Sequence, residues 1–83
     1  MKYIVTKDER GIEGIFLFPR TYNHDFFAEV VIGIRSETNN GGWERFCPLP
    51  ISAGFVSHKL KCFGRSETLG LGSRPEQDTR LLR

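Results

Sequence analysis

The sequence predicts a small α+β domain, an antiparallel sheet with one amphipathic helix packed on a face and elements in the order β-β-α-β-β. Three observations lead there. Two short β-branched and aromatic runs, "KYIVTK" and "GIFLFP", flank the turn-rich "DERGIEG". One apolar stripe recurs at helical spacing between Phe26 and Ile34. Two further strand-like runs, "ISAGFV" and "KLKCFGR", follow the flexible "SETNNGG".

The first two runs read as an antiparallel hairpin, because turn residues separate segments suited to a pleated surface. Pro19 stops the second strand. Ile15, Phe16, Leu17 and Phe18 are apolar on both faces of that strand, so both faces are expected to be covered. In the helix, Phe26, Phe27, Val30, Val31 and Ile34 fall on one side, with His24, Asp25, Glu29 and Arg35 on the other. Asn23 or Thr21 is the expected cap, and Asp25 and Arg35 complement the dipole at the two ends. Gly33 weakens the helix interior by about 1 kcal/mol, which suggests an early end.

Beyond the turn, Trp43, Phe46 and Leu49 have extended spacing, but Pro48 and Pro50 each remove a backbone donor, which places this stretch at an edge or a bend. In "KLKCFGR", Leu60 and Cys62 alternate with Lys59, Lys61, Phe63 and Arg65. One face is then core, and the other is cationic with one aromatic.

The 83 residues are expected to form one domain, residues 1–83, with a polar, turn-rich segment at 66–83. A domain this small buries only about 60% of the surface its unfolded chain exposes. Seven Phe, two Tyr and one Trp are a generous supply for so thin a core, so some aromatics are expected to face a partner. The formal charge of +2 is uneven: residues 1–42 hold five Lys/Arg and six Asp/Glu, residues 43–83 seven and four. That is modest for a dedicated nucleic-acid binder. The start "MKYIVTKDER" meets charge too soon for a signal peptide, and no apolar run approaches a membrane span. A soluble, cytoplasmic protein that does not enter membranes is the expectation, with Cys47 and Cys62 as reduced thiols.

The glycines of "GRSETLGLGSRPEQ" raise the question of phosphate binding. A P-loop needs a Lys and a hydroxyl residue after its second glycine, and no such Lys is present. Gly70 and Gly72 form only the first half of a dinucleotide fingerprint. What remains is a turn at Gly70–Gly72, then Ser73-Arg-Pro-Glu76, whose S-x-x-E spacing is a capping box for a short helical turn. That turn is marginal unless Leu81 and Leu82 dock.

Cys47, His58, Cys62 and His24 lack the paired spacing of structural zinc ligands, so no metal and no cofactor are expected. Two core thiols and two surface imidazoles are the simpler reading. His24 and Asp25 are adjacent on a helix and point about 100° apart, which is the wrong geometry for a nucleophile's base. Cys47 and Cys62 lie in apolar strand contexts where a thiol is inert. So short a chain is also expected to have little room for a hollow of several hundred Å³. A non-enzymatic protein follows.

"PISAGFVS", followed by "KCFGRSETLGLGSRPEQDTRLL", resembles a pattern found in small proteins encoded in phages and prophages of proteobacteria. The resemblance covers Pro50–Leu82 and has no catalytic motif in it. It implies an accessory role of the kind played by anti-CRISPR and other anti-defence factors, which act by occupying a surface of host machinery. The resemblance implies a host protein or protein–nucleic acid complex as partner but assigns no binding residue; the residues themselves offer Lys59, Lys61, Phe63, Arg65, Trp43 and Arg74 as the expected contacts. Pairing of a second copy through an uncovered sheet face is the expected route to a homodimer. The alternative is a weak nucleic-acid-binding module using the strip Lys59, Lys61, Phe63 and Arg65.

Overall fold

The computed structural model describes residues 1–28 and 49–82. These form a small, mostly sheet structure of mixed α+β type with short helices. Strands β1 (Lys2–Lys7), β2 (Glu13–Phe18), β3 (Leu49–Val56) and β4 (Cys62–Phe63) make an antiparallel sheet in the order β2-β1-β3-β4. Strands β5 (Arg65–Ser66) and β6 (Leu71–Gly72) form a separate two-stranded hairpin, and helices α1 (His24–Phe27) and α2 (Pro75–Arg80) complete the described elements.

The turn between β1 and β2 is built by Asp8. Its carboxylate accepts from the backbone N–H groups of Arg10 at 2.8 Å and Ile12 at 2.9 Å, an arrangement that competes with extending the strand. Tyr3, Ile4, Val5 and Thr6 of β1 are all buried, because the strand has neighbours on both edges and cover on both faces. Alternation sends Ile4 to one face, where it joins Phe18, Ala28, Ala53 and Leu69, with Phe27 and Leu71 packed alongside. Tyr3 and Val5 go to the other, with Val56, Cys62 and the half-buried Leu81 and Leu82. The sheet is thus a shared wall between two small cores, one beneath α1 and the β5–β6 hairpin, the other beneath α2. Each large apolar side chain so buried contributes about 1.5–3 kcal/mol.

Several expectations require correction. Phe16 and Leu17 are exposed, not covered, because β2 is an edge strand among the described strands and α1 and α2 pack against β1 and β4 instead. Leu60 is also exposed. It lies in a tight turn with φ of 60°, where Leu60 N–H donates to the Ser57 carbonyl and Ser57 N–H to the Lys61 carbonyl, so it never enters a strand. Pro50, by contrast, lies where an edge or bend was expected: it stands in β3 opposite Thr6, where the register slips from Val5 opposite Ser52 and leaves Ile51 as the extra residue of a bulge, while β4 pairs β3 only at Phe55 and Val56.

The C-terminal turn is a helix, but Ser73 does not cap it. Arg74 occupies that position, and no side chain of its own bonds the first turn. The Asp78 carboxylate reaches back instead and accepts from the Arg74 backbone N–H at 2.9 Å. The hairpin turn lies at Glu67–Gly70, with Gly70 at φ of 68° and Gly72 already in β6. Asn23 stands at the start of α1, in extended conformation and without a side-chain cap bond. The later part of the expected stripe, Val30, Val31 and Ile34, lies outside the described residues, as do Glu29, Gly33, Arg35, Trp43, Phe46, Cys47 and Pro48. No helix among the described residues is long and apolar enough to cross a membrane.

Candidate binding face

On the α2 side of the sheet the dominant feature is a buried carboxylate. Asp78 is fully buried and accepts from Tyr3 Oη at 2.6 Å, Ser52 Oγ at 3.0 Å, and Arg74 Nε at 3.0 Å and Nη2 at 2.8 Å. Arg74 Nη2 also donates to Glu13 Oε1 at 2.7 Å. Burial alone would raise the Asp78 pKa, but hydrogen bonds from Tyr3, the Arg74 backbone, Ser52 and the Arg74 side chain outweigh it and hold the carboxyl below its ordinary value. Burial, followed by the Asp78 carboxylate, pushes the Tyr3 phenol far above its usual range. Arg74, expected at a partner surface, thus spends its guanidinium inside the protein, tying α2 to β2.

Beside this network, an open groove of about 500 Å³ is lined by Lys61, Cys62, Pro75, Glu76, Thr79 and Arg80. Cys62 is a buried free thiol whose pKa burial raises, and Thr79 Oγ1 accepts from its backbone N–H at 3.0 Å. A thiol in that state is a poor nucleophile.

The α1 side differs. Phe55 and Phe63 lie opposite each other on β3 and β4, with ring centroids 5.8 Å apart and planes tilted by 31°. Phe63 is half exposed. An open hollow of about 550 Å³ lies against both rings and is walled by Met1, Arg20, Val56, Ser57 and His58. A second, of about 390 Å³, shares Phe55 and is lined by Lys2, Asn23, His24, Arg65, Ser66, Glu67 and Thr68. So short a chain was expected to have little room for a hollow of several hundred Å³; these depressions reach that size but lie open at the surface. The first hollow forms where the ends of β1, β3 and β4 meet the chain just after β2, and the second lies between the start of β1, the first turn of α1 and β5.

His24 was expected on a polar helix face. It is buried instead: its ring stands edge-on to Phe18 at 5.3 Å and to Phe55 at 5.8 Å, and Nε2–H donates to the Gly54 carbonyl at 2.9 Å. Burial depresses its pKa, as does the ammonium of Lys2, against the opposing pull of the Gly54 bond and Asp25. His24 and Cys62 sit on opposite faces of the sheet. Among the described residues no three His, Cys, Asp or Glu side chains converge as a metal site, and Cys47 lies outside them.

The predicted cationic strip is divided by this geometry. Phe63 and Arg65 come to adjoining hollows through their shared neighbour Phe55. Lys61 turns to the α2 groove, and Lys59 lies exposed in the Ser57–Lys61 turn. The break has a backbone cause: Gly64 has φ of 79° and diverts the chain between β4 and β5. Trp43 lies outside the described residues. Met1, Lys2, Arg20 and Phe55 were not expected here, since strand ends distant in sequence carry no local signal of their convergence.

No protein-family model, no curated protein and no solved structure matches the chain.

Proposed function

We propose that the protein is a non-catalytic binding module that recognises a host protein or protein–nucleic acid complex through the face centred on Phe55 and Phe63. One observation carries the reading: a half-exposed aromatic ring backed by a second, with Met1 beside them and Arg20, Lys2 and Arg65 around them. Aromatics, methionine and arginine are the residues that protein interfaces enrich. The non-catalytic part is supported by the state of the groups that chemistry would use. Burial keeps the Cys62 thiol protonated, with hydroxyls of Thr79 and Tyr3 as its hydrogen-bonding neighbours, and the His24 Nε2–H is engaged by a carbonyl.

The resemblance of Pro50–Leu82 to phage-encoded proteins sets the specific form: an inhibitor that occupies a surface of bacterial defence machinery, such as a CRISPR effector, in the host cytoplasm. The full β-β-α-β-β order, with one amphipathic helix running on through Ile34, belongs to the same proposal. Nucleic-acid binding is the second reading, favoured by the nearness of Phe63 to Arg65, and weakened by the separation of both from Lys59 and Lys61.

The test is affinity capture from bacterial lysate, with and without nuclease, using the wild-type chain and the Phe63→Ser variant. A partner retained after nuclease and lost with the variant is expected. Retention of the same partner by Phe63→Ser would remove this face from the reading. Loss on nuclease treatment, with affinity falling log-linearly with salt, would establish the second reading instead.

A further inference from the structure

We propose that the Phe55–Phe63 face takes an acidic peptide segment of its partner, with one aromatic side chain as anchor and carboxylates on either side. This rests on the reading above and names the ligand chemistry of that same face. Phe55 and Phe63 contact each other, so they form one continuous apolar floor and not two separate platforms. Successive unpaired bases each need a free ring face to stack on, whereas a single anchor side chain needs one lined depression. Met1 and Val56 close the floor laterally.

Charge supplies the second argument. Arg20 borders the larger hollow, while Arg65 and Lys2 border the adjoining one, so cations flank the apolar floor on both sides. Glu67 is the one carboxylate that the described residues bring to their linings. Among the described residues the ion pairs belong to Arg74, and Arg20 and Arg65, both exposed, pair with no described carboxylate. Lys2 Nζ donates to the Tyr22 carbonyl at 2.8 Å, which fixes the ammonium in place while two of its three N–H groups stay available. A carboxylate on each side of a buried ring satisfies this arrangement; a basic or neutral segment leaves it uncompensated.

The experiment is an NMR titration of the isotope-labelled chain with a pentapeptide of one tryptophan between two pairs of acidic residues. Three controls accompany it: the same peptide with lysines replacing the acids, the same with alanine replacing tryptophan, and a twelve-nucleotide oligothymidylate. Saturable shifts at Phe55, Phe63 and Arg65 are expected with the acidic peptide, with affinity about tenfold lower for each altered peptide. The Arg20→Glu/Arg65→Glu variant is expected to keep the wild-type spectrum elsewhere and lose the shifts. Equal response to the basic peptide, or preference for the oligonucleotide, overturns the proposal. If the acidic peptide shifts nothing while lysate capture remains dependent on Phe63, the ligand chemistry is wrong and the binding face stands. If capture is independent of Phe63, the face itself fails.

Discussion

At the scale of single residues, Asp78 is the most consequential side chain in the described structure. A carboxylate with no exposure is tolerable only because donors from Tyr3, Ser52 and Arg74 surround it. Asp78→Asn replaces an acceptor with a group that is half donor, facing a guanidinium and two hydroxyls. It is expected to lower stability by about 3 kcal/mol in chemical denaturation, a large part of the roughly 5–15 kcal/mol available to a small domain. Gly64 makes a different demand. It combines positive φ with a backbone so close to Phe55 that an added Cβ would come within 2.9 Å of that ring. Gly64→Ala is expected to cost about 1–2 kcal/mol from the backbone alone and to displace Phe55, so that capture of the partner weakens together with the melting temperature. His24 brings pH dependence. Its folded pKa is depressed, so between that value and the unfolded value of about 6.5 the unfolded chain binds more protons. Stability therefore falls as pH drops below about 6.5. Denaturation midpoints measured across that range should flatten in His24→Gln, whose amide still donates to the Gly54 carbonyl.

At the scale of elements, α2 is six residues long and too short to persist alone. Pro75 in its first turn, Asp78 on its buried side and the half-buried Leu81 and Leu82 beyond it supply what propensity does not. Leu81→Ala and Leu82→Ala are each expected to lower stability by about 1–2 kcal/mol, less than a fully buried leucine would, and to speed amide hydrogen exchange in α2 more than in β1. The tail question raised by "GRSETLGLGSRPEQ" is answered at this scale as well. Its glycines serve a hairpin turn and a change of chain direction, and its Arg74 latches the start of α2 to Asp78 and to Glu13 of β2. The same segment supplies Arg65 to the candidate face.

At the scale of the whole molecule, the two faces of the sheet have different characters. The α2 face is tied together by a hydrogen-bonded and ion-paired network linking residues far apart in the chain, Tyr3 to Asp78 and Glu13 to Arg74, with a polar groove beside it. The α1 face opens at one end into hollows lined by aromatics and cations. Acid should therefore act in two stages. The His24 contribution goes first, below about pH 6.5. Asp78 and Glu13, whose folded pKa values are both depressed, stabilise above their unfolded values of about 4, and that contribution is lost as pH falls through the folded ones. Arg74→Met is expected to reduce the second stage and leave the first in place, as read from denaturation midpoints between pH 2 and 8.

What the sequence by itself determined is local. The β-branched run of β1, the Asp8 turn, the stop at Pro19, the start of α1 after Asn23 and a helical turn near the end all follow from backbone preferences that neighbouring residues set. Phe63 and Arg65 were legible as surface groups from their alternation with Cys62. The positive φ of Leu60 and Gly64 was not anticipated, so Lys59 and Lys61 were wrongly kept on the same strip. Tertiary structure alone decided that His24 is buried, that Phe16 and Leu17 are exposed, that Arg74 turns inward, and that Met1, Arg20, Phe55 and Phe63 meet. Each of these depends on which strand lies at a sheet edge and which face a helix covers, and those are set by contacts between segments dozens of residues apart, which leave no periodic trace in either segment.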